Sequence, residues 1–197
     1  MEEIQTEVPI EPMPAPEGKF ALGRILLDIL ETLVLSVLLF AGINYVSARI
    51  RVDGFSMEPS LHTGEFVIVN KLAYTLGETR RGDVIVFQYP FDPRQEYIKR
   101  VIGLPGDIIR IENGRVYVNG QALQEDYIAA PPGYNNGDTT VPENSLFVLG
   151  DNRNNSSDSH NWGSVPMEYV IGKASLVYWP PEQWGLIPHT STASATP

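Results

Sequence analysis

The sequence predicts a mostly β protein, an antiparallel β-sheet domain preceded by one N-terminal transmembrane helix. One apolar run of helical length lies near the N-terminus, at residues 21–46. Beyond residue 50 the apolar residues come in short β-rich runs separated by turn residues, and no helical period is sustained there. A chain of 197 residues is enough for one such domain with an anchor and tails.

The first 20 residues are predicted to be a disordered, acidic, proline-rich tail. Residues 1–17 carry five Glu and four Pro, with no Lys or Arg. Segments of this composition bury too little apolar surface to fold. Residues 188–197 are predicted to be a second disordered tail. The formal net charge of −10 argues against a nucleic-acid partner, because nucleic acid binds basic surfaces.

Residues 21–46, ALGRILLDILETLVLSVLLFAGINYV, are predicted to be a transmembrane anchor. No charged residue lies between Thr32 and Ile43, and about 20 apolar residues are needed to cross a bilayer as a helix. Two alternatives are an amphipathic core helix and a cleaved signal peptide, the latter disfavoured because the preceding tail is acidic. Basic residues flank both ends of the segment, so the positive-inside rule does not orient it.

Seven β-rich segments make up the β domain predicted over residues 47–187. They are residues 65–71, 83–89, 97–103, 107–111, 115–118, 145–149 and 174–179. Asn113-Gly114 between two of them is a strong hairpin signal, and Asn119-Gly120 repeats it. Residues 129–145 are predicted to be a long surface loop. The absence of cysteine excludes disulfides and thiolate metal sites.

The first segment with catalytic residue types is VDGFSMEPSL, residues 52–61. Ser56 follows Gly54 by two positions, and a glycine there lets the backbone approach a neighbour closely. Read alone, this serine is more typical of a turn than of a nucleophile.

The second is EYIKRVIGLPGD, residues 96–107, with Lys99 inside an apolar strand. Alternation puts Tyr97, Lys99 and Val101 on one face and Arg100 on the other. A lysine acts as a general base only if its pKa falls well below about 10.4, and burial lowers it. The alternative is a solvated charge on an edge strand.

The third is GDNRNNSSDSHNWGS, residues 150–164, which is densely polar. It is interpretable as a solvated turn with internal hydrogen bonds. Ser56, His160 and Asp158 also allow a Ser-His-Asp triad, since triads are recognised by geometry rather than order. Asp151, Asp158 and His160 allow a metal site, although no recognised ligand spacing supports one.

Taken in order, these segments closely resemble the type I signal peptidases of bacteria, membrane-bound serine proteases with a Ser-Lys dyad. The resemblance runs from about residue 22 to residue 180. It rests on an anchor followed by G-F-S-M-E-P-S, R-R-G-D-V-I-V-F, Y-I-K-R-V-I-G-L-P-G-D and G-D-N-R-N-N-S-S-D-S-H-N-W-G. It implies a signal-peptidase-like complex β fold, with residues 47–187 as the catalytic domain and a single anchor, as in the short bacterial enzymes.

The resemblance implies that Ser56 is the nucleophile and Lys99 the general base. It matches Ser156 to a serine that holds and orients the lysine amine. It matches Asp158 to an aspartate that supports the site through a salt bridge, and the usual arginine partner of that aspartate falls at His160. If Lys99 is the base, its face of the strand is expected to be the drier one, with the neighbouring Arg100 turned away.

The resemblance also places the oxyanion hole and substrate-binding residues at Gly54, Phe55 and Met57. Some relatives carry a serine where this chain has Gly54, and the side chain of that serine helps to form the hole. Here the hole would rest on the backbone N–H of Ser56.

The implied substrates are the signal peptides of exported pre-proteins, cut after small residues in an A-x-A-like pattern. The implied partners also include membrane lipid, with no cofactor and no metal. The implied location is the plasma membrane, single-pass, with the catalytic domain on the extracytoplasmic side. One alternative is a self-cleaving Ser-Lys repressor, which the anchor and the acidic balance disfavour. Another is a membrane-anchored β domain that binds a partner without catalysis, or an inactive relative of the family.

Overall fold

The computed structural model describes residues 18–189, with side chains from residue 22 onward. The predicted tail residues 1–17 and 190–197 lie outside the described residues. The first helix, α1, covers Gly18–Val46, so the last three residues of the predicted N-terminal tail are helical. The chain divides into two compact units between Gly42 and Ile43.

Helix α1 has the length and composition of a membrane span. Leu22–Val46 is apolar enough to cross a bilayer. Its most apolar stretch of 18 residues has no residue buried inside the protein. Two hydroxyls within it are satisfied locally. Thr32 Oγ1 donates to the Asp28 carbonyl at 2.8 Å, and Ser36 Oγ donates to the Thr32 carbonyl at 2.7 Å. The amphipathic core helix considered above would instead bury one face, so α1 fits a transmembrane anchor.

The second unit consists of short strands, as the sequence predicts. In the described part of the chain these are β1 Ser47–Arg51, β2 Phe66–Asn70, β3 Val84–Tyr89, β4 Asp92–Gly103, β5 Ile108–Glu112, β6 Arg115–Val118, β7 Gln121–Ala122, β8 Asn136–Thr140, β9 Ser145–Leu149, β10 Val165–Pro166, β11 Val170–Trp179 and β12 Gly185–Leu186. A one-turn helix, α2, covers Ser159–Trp162, and 3₁₀ turns cover Met167–Tyr169 and Pro181–Gln183.

The strands form two antiparallel sheets. The larger has the order β1-β2-β11-β3-β4-β9-β10, with β12 against β11, and the smaller has the order β7-β6-β5-β8. β3 lies inside the larger sheet with four consecutive buried residues, Val84–Phe87, because core packs against both of its faces. β5 alternates exposed and buried residues, because only one of its faces meets the core.

The predicted fold class is confirmed, and the hairpin signals explain part of the smaller sheet. Asn113 and Gly114 both have positive φ, 51° and 73°, as a type I′ turn between β5 and β6 requires. The prediction of one long loop over 129–145 is wrong, because β8 lies within it and pairs with β5. NGDTT contains no apolar residue and so lacks the apolar alternation by which strands are recognised, and the pairing with β5 makes it a strand.

The predicted C-terminal boundary at residue 188 is also wrong. The Arg100 guanidinium donates to the Pro188 carbonyl at 2.9 Å. The Val84 N–H donates to Nδ1 of His189 at 3.2 Å. Both donors lie in the buried interior and need acceptors, so residues 188 and 189 complete the β domain.

Candidate active site

β4 carries the amine of Lys99 into the interior. Lys99 is 4% exposed and lies opposite Ile85 of β3. Its Nζ donates to Ser56 Oγ at 2.8 Å and to the Ile98 carbonyl at 2.9 Å. A hydroxyl 43 residues earlier in the chain is thus within hydrogen-bonding distance of a buried amine.

Burial changes the acidity of this amine. Desolvation lowers the pKa of Lys99 from 10.5 to about 8, and the negative charges of Asp158 and Asp151 oppose part of that shift. The neutral form is therefore available at mildly alkaline pH, as a general base requires. The interpretation of Lys99 as a solvated charge is wrong, because its side chain is buried and its amine is hydrogen-bonded within the protein.

The opposite face of β4 is just as dry, which the sequence interpretation did not anticipate. Arg100 is 0% exposed. Its Nε donates to Oδ1 of Asp151 at 2.8 Å and its Nη2 donates to Oδ2 at 2.6 Å. The expectation that the face of Lys99 is the drier is wrong, because a buried carboxylate and backbone carbonyls take the place of water around Arg100.

Ser56 lies in a tight turn between β1 and β2. The Glu58 N–H donates to the Phe55 carbonyl at 3.2 Å, and the Leu61 N–H donates to the Met57 carbonyl at 2.9 Å. Met57 and Leu61 are buried in a core cluster and anchor the turn from below. A substrate can therefore reach only the backbone of Met57, whereas the Phe55 side chain is exposed.

The backbone at Gly54 explains the glycine in this turn. Gly54 has φ +92°, which favours glycine, and its N–H donates to Thr63 Oγ1 at 3.0 Å. A Cβ built there would meet no atom within 4 Å. Conformation rather than crowding therefore keeps glycine at this position, and the space beside it is open.

The polar loop from Gly150 to Asp158 packs against the turn that carries Ser56. The Asn152 N–H donates to the Ser56 carbonyl at 3.0 Å, and its Nδ2 donates to the Phe55 carbonyl at 3.1 Å. A Cβ at Gly150 would collide with the Ser56 carbonyl and with Ser156. The glycine and asparagine of G-D-N are thus required by the close approach of the two backbones.

Ser156 lies beside this contact without the bond expected of it. Its Oγ is buried and has no hydrogen-bond partner among residues 18–189. The hydrogen bond to the Lys99 amine that the resemblance implies is therefore not formed in this structure. Burying a hydroxyl without a hydrogen-bond partner costs free energy. The role of Ser156 in orienting the Lys99 amine stays a prediction.

Asp158 is fully buried and links this loop to α2. Its Oδ2 accepts from the Gly150 N–H at 2.9 Å, and its Oδ1 lies 2.6 Å from Nδ1 of His160. The His160 ring stacks on Tyr134 with ring centroids 3.9 Å apart. His160 thus pairs with Asp158, and this pair is ionic only when the imidazole is protonated.

These contacts also decide between the alternative sites. No hydrogen bond joins His160 to Ser56 within residues 18–189, so the Ser-His-Asp arrangement is not assembled. The Asp151 carboxylate is occupied by Arg100, and the Asp158 carboxylate by His160 and a backbone N–H. In the described part of the chain, no three His, Asp or Glu side chains converge as metal ligands.

Two buried ion pairs behind the site were not anticipated from the sequence. One is Arg100 with Asp151, and the other is Arg153 with Glu125. The partners are separated by 51 and 28 residues, so no local pattern reveals them. In the sequence, the only sign of these two ion pairs is that their charged residues interrupt apolar strands or lie next to them.

A cleft of about 600 Å³ opens above Ser56 and Lys99. Residues 49–51 of β1 form one wall and residues 96–99 of β4 form the other. Among the described strands, β1 pairs only with β2. β9 pairs with β4 only from Arg100 to Gly103. Each wall therefore presents backbone N–H and C=O groups that an extended peptide can pair with.

The chain is similar to known proteins over most of its length. The family model described as signal peptidase, peptidase S26, matches residues 26–179. Over 168 residues the chain is 45% identical to probable signal peptidase I-2 of Synechocystis sp., covering 82% of this chain and 77% of that protein. Over 165 residues it is 41% identical to signal peptidase I of Bacillus caldolyticus, covering 77% of this chain and 87% of that protein.

Proposed function

The chain belongs to the signal peptidase family, peptidase S26, and from that membership we propose that it is a membrane-anchored serine endopeptidase that removes signal peptides from exported pre-proteins. In this proposal Ser56 is the nucleophile and Lys99 is the general base. The observation that carries it is the 2.8 Å hydrogen bond between Lys99 Nζ and Ser56 Oγ, made by a buried amine with a lowered pKa.

The proposed reaction begins with proton transfer from Ser56 to the neutral amine of Lys99 as Oγ attacks the scissile carbonyl. The resulting ammonium gives its proton to the leaving amine, and an acyl-enzyme on Ser56 remains. Lys99 then activates a water that hydrolyses the ester. The hydrogen bond to the Ile98 carbonyl holds the amine in place through both steps.

The oxyanion of each tetrahedral intermediate needs donors, and the backbone N–H of Ser56 is the proposed one. The open space at Gly54 leaves room for the oxyanion or for a water that would donate to it. Donors of this kind typically contribute about 2.7–4 kcal/mol to transition-state stabilisation. Ser156 and Asp158 are proposed to support the amine and the loop around it.

The proposed substrate lies extended in the cleft, paired with the backbone of β1, β4 or both. In an extended chain the residues one and three positions before the scissile bond face the same side. Both would then point into the floor of the cleft. The proposal is that this floor accepts only small side chains at these two positions, which is the A-x-A-like preference.

The anchor supports a location at the plasma membrane, where exported pre-proteins emerge. In this proposal α1 spans the bilayer once, in contact with membrane lipid, and the β domain lies on the extracytoplasmic side. A protease tethered there meets the cleavage site at the membrane surface.

Cleavage of a synthetic signal peptide tests the function directly. The purified full-length chain in detergent is expected to cut a peptide with Ala at both small-residue positions at one bond, identified by mass spectrometry. A matched peptide with Lys immediately before that bond is expected to be cut at least about tenfold more slowly, because the pocket cannot solvate the charge. No cleavage of the first peptide would overturn the function, and equal cleavage of both would overturn the specificity.

The pH dependence of kcat/KM tests the base. Protonated Lys99 cannot accept the serine proton, so activity should rise as pH increases through about 8 and then level off. The control is the folded state, followed by circular dichroism over the same pH range. A limb centred near pH 10.5, the ordinary value for lysine, would contradict a desolvated base.

A further inference from the structure

The loop that packs against the nucleophile is tied to the smaller-sheet side of the domain by a buried ion pair. Arg153 Nη1 donates to Oε2 of Glu125 at 2.8 Å, and its Nη2 donates to Oε1 at 2.6 Å. The Arg153 side chain is 0% exposed and that of Glu125 is 6% exposed. Glu125 lies between β7 and β8 of the smaller sheet, while Arg153 lies in the Gly150–Asp158 loop.

The third nitrogen of the same guanidinium reaches the reacting region. Arg153 Nε donates to the Gly150 carbonyl at 3.0 Å. Gly150 is so close to Ser56 that no Cβ fits between it and the Ser56 carbonyl. The Asn152 N–H also donates to that carbonyl at 3.0 Å. A displacement of Arg153 would therefore move the backbone on which Ser56 rests.

Tyr127 completes the arrangement. Its ring lies 4.3 Å from the Arg100 guanidinium and 5.8 Å from that of Arg153, and its hydroxyl donates to Oε1 of Glu125 at 2.8 Å. Burial raises the pKa of Tyr127, so the hydroxyl stays a donor. The Tyr127 hydroxyl and two Arg153 nitrogens therefore all donate to Glu125 and need its carboxylate as their acceptor.

We propose that Glu125 and Arg153 are positioning residues for peptide cleavage, which hold the Gly150–Asp158 loop against the turn of Ser56. Neither residue lines the cleft, so both act through Gly150 and Asn152 and not on the substrate. A buried ion pair is weak evidence for stability, because apolar replacements are often as stable. All three guanidinium nitrogens of Arg153 donate hydrogen bonds, and this geometry fixes the position of the Gly150–Asp158 loop. The inference rests on the proposed function.

The test compares Glu125→Gln with a matched ion-pair variant away from the loop. Asp107→Asn removes the carboxylate of the Arg81–Asp107 pair, which is 3.0 Å long and partly buried. In Glu125→Gln an amide NH₂ would face guanidinium donors and the loop would shift. We expect kcat per folded molecule to fall at least about tenfold with KM within about twofold, since misplacement by about 1 Å can cost about 100-fold. Asp107→Asn should keep the wild-type kcat.

The double variant Glu125→Met with Arg153→Met separates placement from stability. Two apolar side chains can restore the melting temperature, but they cannot donate to the Gly150 carbonyl. We expect this variant to melt near the wild type and to remain slow. Wild-type kcat in either Glu125 variant, or an equal loss in Asp107→Asn, would overturn the inference while wild-type cleavage upheld the function. Failure of the wild type itself to cleave the peptide would overturn both.

Discussion

Ser56→Ala is expected to lower kcat on a synthetic signal peptide by at least about 10⁴-fold, the scale found when a serine protease loses its nucleophile. Without Oγ no acyl-enzyme can form, and the Lys99 amine loses the acceptor that lies 2.8 Å away. Because the turn is held by backbone hydrogen bonds and by Met57 in the core, the fold should survive. Cleavage is measured by chromatography of the products, and folding by circular dichroism.

Ser175→Ala is a suitable control for Ser56→Ala. Ser175 lies on β11, two strands away from each wall of the cleft, and it is not one of the residues that line the cleft. Its hydroxyl donates to the Lys173 carbonyl. It should keep the wild-type kcat. If Ser56→Ala kept activity within about tenfold of wild type, Ser56 would be excluded as the nucleophile, because cleavage would then proceed without an acyl-enzyme on Ser56.

Lys99→Met is expected to be both inactive and more stable at pH 7. Activity should fall by at least about 10⁴-fold, as for the loss of a base that acts as a unit with its nucleophile. The stability gain has a different cause: the fold lowers the pKa of Lys99 from 10.5 to about 8, a penalty on the order of 3 kcal/mol for keeping the amine protonated while buried. Methionine has a similar length and carries no such penalty.

The stability gain of Lys99→Met depends on pH. Above pH 10.5 the amine is neutral in both the folded and the unfolded chain, so wild type incurs no ionisation penalty. As pH falls from 10.5 to about 8, the unfolded chain binds the proton first and the wild type loses stability relative to Lys99→Met. Below about 8 the difference is constant. Melting temperatures of both proteins at pH 7 and pH 10 measure it, and a less stable variant at pH 7 would contradict the lowered pKa.

The sequence predicts that Ser56 and Lys99 belong to one site, because both lie in segments whose order resembles a known family, and the structure places their side chains 2.8 Å apart. It predicts the surroundings of the charged residues less well. The turn chemistry of Asn113-Gly114 is local and transfers directly to the structure. Strand alternation assigns Lys99 and Arg100 to opposite faces, but whether a face is dry depends on what packs on it. The partner of Arg100 is 51 residues away, which no periodicity encodes.

The surroundings of other residues also depend on distant parts of the chain. Met57 follows Ser56 in sequence, yet a turn reverses the chain there and sends its side chain into the core. Residues 188 and 189 have the composition of a tail, but they supply acceptors that buried donors require. Glu125 lies in a segment with no catalytic pattern and becomes visible only through its contact with Arg153. Each of these depends on long-range contacts.

The two unpaired backbone edges that wall the cleft have a consequence for timing. A helix has already satisfied its own N–H and C=O groups and cannot pair with either wall, so a segment can enter only after it has become extended. The same geometry excludes folded regions of an exported protein, whose strands already have partners. In the proposed binding mode the cleft would select a substrate by its conformation as well as by side-chain size. The bond accessible in that mode would lie in the short unstructured stretch between a helical signal sequence and a folding domain.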